Sequence, residues 1–449
     1  MTGLTDPTLS SVLFRAANHA LTQNRVDGAL SIADRAAAVC PGPETLICLA
    51  AFRMTVGQLG LARDALDEAA RFGASEEQIL TFRASLDACA GNVSAAIDTL
   101  QLILRRNPAA GVSVKYALAS LLASARRFDE ANASFGRGLL VVCGDGNLTC
   151  TRVVRFPEQP LLDPASIPLR RQVDYPRTVA AAQDAEMVYF VSADSRYFEL
   201  FARAVCNSLA ANAHISIAVH IHIINPKPTI EASIGRLRRN CNIPILVSYE
   251  STQLDHLDAR ARRVYWSCAR YLVLPELLRL YNKVILVADI DQLVVQSLRP
   301  LFDEFRGHDV GLLKFPVQIT NILALISATA VIVDATRGGI QFCRTLCDNL
   351  AERLTDPAAW SWHLDQAALA VAYYLDEDLR TYLIRPSLLD SSNGRVEPPR
   401  DDAVFWSVTM TLPANIGKLS STYFQRFLIA DSQAGGVGPR GEYIAMRYK

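Results

Sequence analysis

Four small residues, Ala29, Ala62, Ala96 and Ala131, recur at spacings of 33, 34 and 35 residues. Each sits in a similar setting: Asp27-Gly-Ala29-Leu-Ser, Gly60-Leu-Ala62-Arg-Asp, Ser94-Ala-Ala96-Ile-Asp and Asp129-Glu-Ala131-Asn-Ala. A repeat of that length confines the first third of the chain to stacked helix pairs, because so short a unit cannot bury its own apolar face and must lean on the next. From about residue 9 to 141 the apolar residues fall at three- and four-residue spacing with almost no strand-like alternation. Turns are expected near Asn24, Gly57, Gly91 and Arg126, and stops at Pro41, Gly73 and Pro108.

The period resembles that of tetratricopeptide repeats, with the aromatic positions of that motif mostly aliphatic. A helical bundle with accidental periodicity is the alternative. Stacks of this type present a concave surface that binds a protein partner or mediates self-association. Between Cys143 and Glu186 the periodicity fails and Pro157, Pro160, Pro164, Pro168 and Pro176 accumulate. This predicts a linker over 142–186.

From Met187 short apolar runs alternate with helical stretches. The runs are Val188–Val191, Ala218–Ile224, Ile245–Val247, Val284–Val287, Val310–Leu313 and Ala330–Val333; the helices lie near Glu199–Ala211, Ser267–Leu280 and Gly338–Leu354. Such alternation predicts a three-layer α/β domain with a mostly parallel sheet over 187–430, followed by a tail over 431–449. Ligands in such sheets bind beyond the carboxyl ends of the strands. Two candidate sites fall there: Ser192-Ala-Asp194 and Asp289-Ile-Asp291.

Lysine plus arginine and aspartate plus glutamate balance at 45 each, so no global field favours nucleic acid. The clusters Arg236, Arg238, Arg239 and Arg260, Arg262, Arg263 read as solvated helix faces, with peripheral membrane contact as the minority reading. Ten cysteines without a Cys-x-x-Cys read as buried thiols in a reducing compartment. No basic segment followed by an apolar core opens the chain, and no long uncharged apolar run occurs, so a cytoplasmic protein without a transmembrane segment is expected.

The run Val284-Ile-Leu-Val-Ala ends in Asp289-Ile-Asp291. Residues two apart on an extended segment point the same way, so two hard carboxylate ligands suited to Mn²⁺ or Mg²⁺ are expected together. Acidic pairs also serve as turn and cap residues. His220 and His222 share that spacing but lie inside an apolar strand, which favours a structural role.

Four blocks in order resemble glycosyltransferase family 8, a GT-A group that includes glycogenin and lipooligosaccharide galactosyltransferases. They are Tyr189-Phe-Val-Ser192-Ala-Asp194-Ser-Arg-Tyr197; Arg270-Tyr-Leu-Val-Leu-Pro275-Glu leading into Asp289-Ile-Asp291; Ser327-Ala-Thr329-Ala-Val-Ile-Val; and Leu364-Asp365-Gln366. The resemblance covers about residues 187–420. It implies a retaining transferase using a UDP-sugar, with Ser192, Asp194 and Tyr197 around the nucleoside and Asp289 and Asp291 on the metal. Arg270 adds charge near the phosphates, unless it forms a structural ion pair. Asp365 and Gln366 are given the face of the donor sugar, and Asp365 also reads as a helix N-cap.

The family's late histidine segment is matched only loosely by Ala414-Asn415-Ile-Gly417-Lys418, which lacks the histidine. Lys418 there offers charge to a phosphate. Ser327, Thr329 and Lys314 also depart from the usual sugar pocket. These departures leave a second reading open, a degenerate transferase fold acting as a repeat-based scaffold.

Overall fold

The computed structural model describes residues 11–14, 16–17, 26–135, 140–143, 146–149, 171–315, 319–322, 324–354, 360, 363–390, 399, 401–407 and 422–429. Asn24, Pro157, Pro160, Pro164, Pro168, Asn415 and Lys418 lie outside the described residues. The chain forms two compact units. One comprises Met1–Leu161, Lys314–Ser327 and Thr345–Glu377; the other comprises Leu162–Leu313, Ala328–Arg344 and Asp378–Lys449.

The first unit carries α1 (Val26–Val39), α2 (Pro43–Thr55), α3 (Leu59–Arg71), α4 (Glu76–Cys89), α5 (Val93–Arg106), α6 (Val112–Ser124) and α7 (Phe128–Phe135). Ala29, Ala62, Ala96 and Ala131 are all fully buried, which explains why a small residue recurs there. The turns at Gly57, Gly91 and Arg126 are left-handed, with φ of 79°, 88° and 61°. Glycine adopts that region freely, whereas arginine is strained by roughly 1–2 kcal/mol. Arg126 uses its side chain nonetheless, donating to the Asp376 carbonyl at 3.2 Å and pairing with Glu377 at 2.6 Å. Ser75 starts α4 with a reciprocal cap: its hydroxyl accepts from the Gln78 amide while the Gln78 side chain accepts from the Ser75 amide.

The segment expected as a linker carries structure of its own. A hairpin of β1 (Leu140–Cys143) and β2 (Gly146–Thr149) lies near its start, and β3 (Gln172–Asp174) pairs antiparallel with a strand of the main sheet. The short α8 (Ala180–Gln183) follows.

The strands of the second unit are β4 (Met187–Asp194), β5 (Ile217–Ile224), β6 (Ile245–Ser251), β7 (Val284–Ala288), β8 (Gln292–Val294), β9 (Val310–Lys314), β10 (Ile326–Val333), β11 (Thr381–Ile384), β12 (Leu389–Asp390) and β13 (Phe405–Ser407), with β9 and β10 each running across a unit boundary. An eight-stranded sheet has the order β11-β9-β10-β7-β4-β5-β6-β3, and β12, β13 and β8 form a smaller one. β4 is parallel to both neighbours, β5 and β7, and β5 is parallel to β6. β10 against β7 and β3 against β6 are antiparallel, so the sheet is mixed but mostly parallel. Every residue of β5 is buried, as a strand covered on both faces requires.

The remaining helices are α9 (Ser195–Asn212), α10 (Ile230–Asn240), α11 (Ala259–Tyr281), α12 (Arg299–Phe305), α13 (Arg337–Arg353), α14 (Leu364–Leu375) and α15 (Thr422–Ile429), of which α14 belongs to the first unit. Glu250 of β6 bonds Tyr265 of α11, whereas its neighbour Tyr249 bonds Glu231 of α10. Consecutive strand residues point to opposite faces, so α11 and α10 cover opposite sides of the sheet. Among the described residues no helix is long and apolar enough to cross a membrane. Cys206, Cys241, Cys268, Cys343 and Cys347 are buried, but Cys48 is exposed, so burial does not extend to every thiol.

Asp309 ties together the start of β9, the approach to β11 and the N-terminus of α13. Its carboxylate accepts from Arg380 at 2.7 and 3.1 Å, from the Arg380 amide at 3.0 Å and from the Thr336 hydroxyl at 2.6 Å. A Cβ at Gly338 would lie 2.6 Å from this carboxylate, so glycine is required there. The Arg380 hydrogen bonds, aided by Thr336, pull the Asp309 pKa down to about 2. The shift corresponds to about 2 kcal/mol of stability at neutral pH, complete above the unfolded-state value and lost as pH falls through the folded one. Urea titrations of wild type and Asp309→Asn should differ by about that much at neutral pH and converge toward pH 2.

Candidate active site

β4 and β7 run side by side, and both end at the sheet edge where the acidic residues gather. Asp194 closes β4 and serves as the N-cap of α9, its carboxylate accepting from the Tyr197 amide at 2.7 Å. This cap turns the chain and sets Tyr197 on the first turn, its ring 5.6 Å from that of Phe201. Burial raises the pKa of the Tyr197 phenol, and the charges of Asp291 and then Asp194 raise it further. Both carboxylates therefore lie within electrostatic range of the Tyr197 phenol. Ser192 lies two residues earlier on β4, half-buried and in register with His222.

Asp289 and Asp291 do not stand on an extended strand. The Gln292 amide donates to the Asp289 carbonyl at 3.2 Å, so residues 289–292 form a turn between β7 and β8. The Tyr189 hydroxyl donates to the Gln292 carbonyl at 3.4 Å and braces the turn from β4. Burial first, and then the charges of Asp289 and Asp291, push the Tyr189 pKa up. The turn therefore brings them together by a different geometry from strand alternation.

Arg270, on α11, is buried and donates from Nη1 to Asp289 Oδ1, and more weakly to the Ala288 carbonyl at 3.4 Å. The guanidinium also lies 5.1 Å from the centre of the Tyr271 ring. The structural ion pair expected for Arg270 is present, with Asp289 as its partner. The Asp289 side chain keeps 30% exposure, enough to present an oxygen to a ligand.

Among the described residues no three His, Cys, Asp or Glu side chains cluster as a metal site. Two half-buried carboxylates on a turn still fit a small hard cation, because Mg²⁺ and Mn²⁺ retain waters and take further ligands from substrate phosphates. Asp289 would have to share itself between such an ion and Arg270.

Asp365 and Gln366 belong to the first unit. Asp365 is buried, and its carboxylate accepts from the Gln366 amide at 2.8 Å. His363 precedes α14 as its N-cap residue, which moves Asp365 into the first turn and corrects the capping expectation. Gln366 lies 3.0 Å from His363 Nδ1. In the same unit Lys314 donates to the Tyr373 hydroxyl at 3.2 Å and covers that ring.

His220 and His222 are structural. Both are fully buried, and with Ser248, Glu250, Arg171, Tyr265 and Tyr281 they form one polar network between β5, β6 and α11. Burial, then the neighbouring His222, holds His220 well below the usual histidine range. Burial also lowers His222, against the pull of Glu250. Sequence reasoning missed Ser248 and Glu250, although their two-residue spacing repeats that of the histidines on the adjacent strand.

No protein-family description matches the chain, and no curated protein matches it in sequence. Solved structures similar to it include the apo form of the bifunctional glycosyltransferase WbbM, at 13% identity and a TM-score of 0.38, covering 55% of this chain and 51% of that one. The galactosyltransferase LgtC in complex with donor and acceptor sugar analogues aligns at 14% identity and 0.38, over 57% of this chain and 98% of its own. The Streptococcus pneumoniae glycosyltransferase GlyE aligns at 11% and 0.35, over 55% and 63%. This chain spans about half of WbbM. Likenesses this weak carry no argument about activity.

Variants at Asp194 separate its two roles. Asparagine caps helices as well as aspartate does, whereas alanine forfeits about 1 kcal/mol. Asp194→Asn should keep the wild-type melting temperature and Asp194→Ala should lower it. Both should weaken nucleotide binding if the charge itself faces the ligand, which calorimetry on the two variants reads directly.

Proposed function

We propose that the protein is a metal-assisted retaining glycosyltransferase of the family 8 type that moves a sugar from a UDP-sugar to an acceptor. The carrying observation is that β4 ends in Asp194, which caps the helix bearing Tyr197, while the adjacent parallel strand β7 runs into the Asp289–Asp291 turn, where buried Arg270 pairs with Asp289. A crevice at the carboxyl ends of adjacent parallel strands is where such sheets take nucleotides.

In this reading Ser192, Asp194 and Tyr197 hold the nucleoside, and Arg270 orients Asp289 while adding positive charge for the diphosphate. Mn²⁺ or Mg²⁺ at Asp289 and Asp291 would supply Lewis acidity to the leaving diphosphate. Asp365 and Gln366 are assigned the donor-sugar face, where a carboxylate or carboxamide stabilises positive charge at the anomeric carbon. Lys418 is assigned a phosphate contact.

The repeating helix pairs of the first unit are proposed as tetratricopeptide-like and as the surface that recruits a protein partner or acceptor. A cytoplasmic setting belongs to the same reading. One observation favours the scaffold alternative: Asp289 is already paired with Arg270, and no third metal-type ligand joins the carboxylates among the described residues.

Calorimetry of UDP with Mn²⁺ and with EDTA, on wild type and Asp291→Asn, decides between them. The expected outcome is binding that needs the metal and disappears in the variant, whose melting temperature stays unchanged because the side chain sits on a partly exposed turn. UDP affinity equal in all four conditions would remove the metal site, and no binding in any would favour the scaffold.

A further inference from the structure

The network between β5, β6 and α11 has a definite proton order. His222 Nε2 lies 2.9 Å from Glu250 Oε2, so that nitrogen carries the hydrogen. Burial keeps the ring neutral, so its Nδ1 is bare and accepts from the Ser248 hydroxyl at 2.8 Å. The single serine proton is then used, and Ser248 Oγ must accept from His220 Nε2, also at 2.8 Å. His220 Nδ1 in turn accepts from the Tyr281 hydroxyl. These tautomers are assigned from the bonding partners. All the hydrogen bonds run one way, from Tyr281 through His220, Ser248 and His222 to Glu250.

Glu250 ends the chain as an ionised carboxylate, its pKa lowered against burial by His222 and Arg171. It accepts from Arg171 Nε at 2.8 Å and from the Tyr265 hydroxyl. On the neighbouring elements, β4 places the Phe190 ring 5.3 Å from His220 and Ser192 in register with His222, and α11 brings the Tyr281 ring 5.7 Å from that of His220. The chain thus starts on α11 at Tyr281 and ends at Glu250 of β6, which α11 contacts again through Tyr265. Arg270 lies between the two tyrosines, and so does Pro275, which interrupts the backbone bonding of the helix.

We infer that this chain is a positioning device for the candidate site: by fixing α11 to the sheet at Tyr265 and Tyr281, it holds Arg270 against the Asp289 turn. Ser248 is its critical member, because it is the one group that both accepts from one histidine and donates to the other. Without its hydroxyl two buried imidazole nitrogens lose their partners, and the polarised chain falls into two pieces. The helix then loses its registration on the sheet, and with it the alignment of Arg270. The binding consequence rests on the donor-site reading above; the structural one does not.

The test is a cycle of Ser248→Ala, Arg270→Gln and the double variant, with Ser248→Thr as the conservative control that keeps the hydroxyl. Mn²⁺-dependent UDP affinity is measured alongside amide hydrogen exchange across residues 284–292. Ser248→Ala should weaken binding about tenfold or more, the scale seen when a group that orients a metal ligand is removed, while Ser248→Thr stays near wild type. In the Arg270→Gln background the same change should add almost nothing, because Ser248 acts through Arg270.

Losses that multiply in the double variant would overturn the inference, as would unchanged affinity in Ser248→Ala despite a lowered melting temperature. If wild type binds no UDP, the donor-site reading fails and exchange decides the structural claim. Faster exchange at 289–292 in Ser248→Ala, restored by Ser248→Thr, supports it; exchange confined to β5 and β6 overturns it. Tyr281→Phe removes only the first proton of the chain, and it replaces Ser248→Ala in the same cycle should that variant fail to fold.

Discussion

Parallel pairing of β4 with β5 on one side and β7 on the other sets the position of every other part of the second unit. Met187 to Phe190 of β4 align with Val284 to Val287 of β7, so the two strands deliver Asp194 and Asp289 to the same edge. The apolar content of these strands is what makes the arrangement stable, since residues buried on both faces gain from burial twice over. In β4 and β7 the charged groups come only where the strands stop. Asp194 spends its carboxylate on the first turn of α9, and Asp289 spends part of its own on Arg270.

Against that apolar background the chain from Tyr281 to Glu250 is expensive. Desolvating a carboxylate, a guanidinium and two imidazoles costs several kcal/mol, and their mutual hydrogen bonds offset much of it although Arg171 Nη2 makes none. A valine or leucine at each position would hold the strands together as well. What apolar residues cannot supply is direction, because they slide and repack, whereas a chain of donors and acceptors fits one registration of α11 alone. A helix whose Arg270 pairs with the Asp289 turn benefits from that restriction.

The strand runs were legible because each is a short, unbroken apolar segment: Val188–Val191 and Ala218–Ile224 both fall inside the strands found there. The helix expected from Ser267 begins at Ala259 instead, since Asp258 caps it by accepting from the Ala261 amide at 2.7 Å and its first turns carry arginines rather than an apolar stripe. Asp289 and Asp291 were expected on an extended edge and stand instead on a turn, which a local run of apolar residues ending in two acids does not report. The recurring Ala29, Ala62, Ala96 and Ala131 were readable as packing positions, since each is fully buried where only a methyl group stands. β3 was hidden among prolines, and its pairing with β6 depends on residues about 75 positions away that no local pattern can report.

The compact units are woven from interrupted segments, for Lys314–Ser327 and Thr345–Glu377 group with the N-terminal helices although β9 and most of β10 belong to the sheet. Genetic history is constrained by that weave. A unit that can be cut from one gene and joined to another must be continuous, and here a crossover in the proline-rich stretch would separate each half from stretches of its own core. Insertions and recombination are thus channelled to the chain ends and to surface turns, and the two units are inherited together.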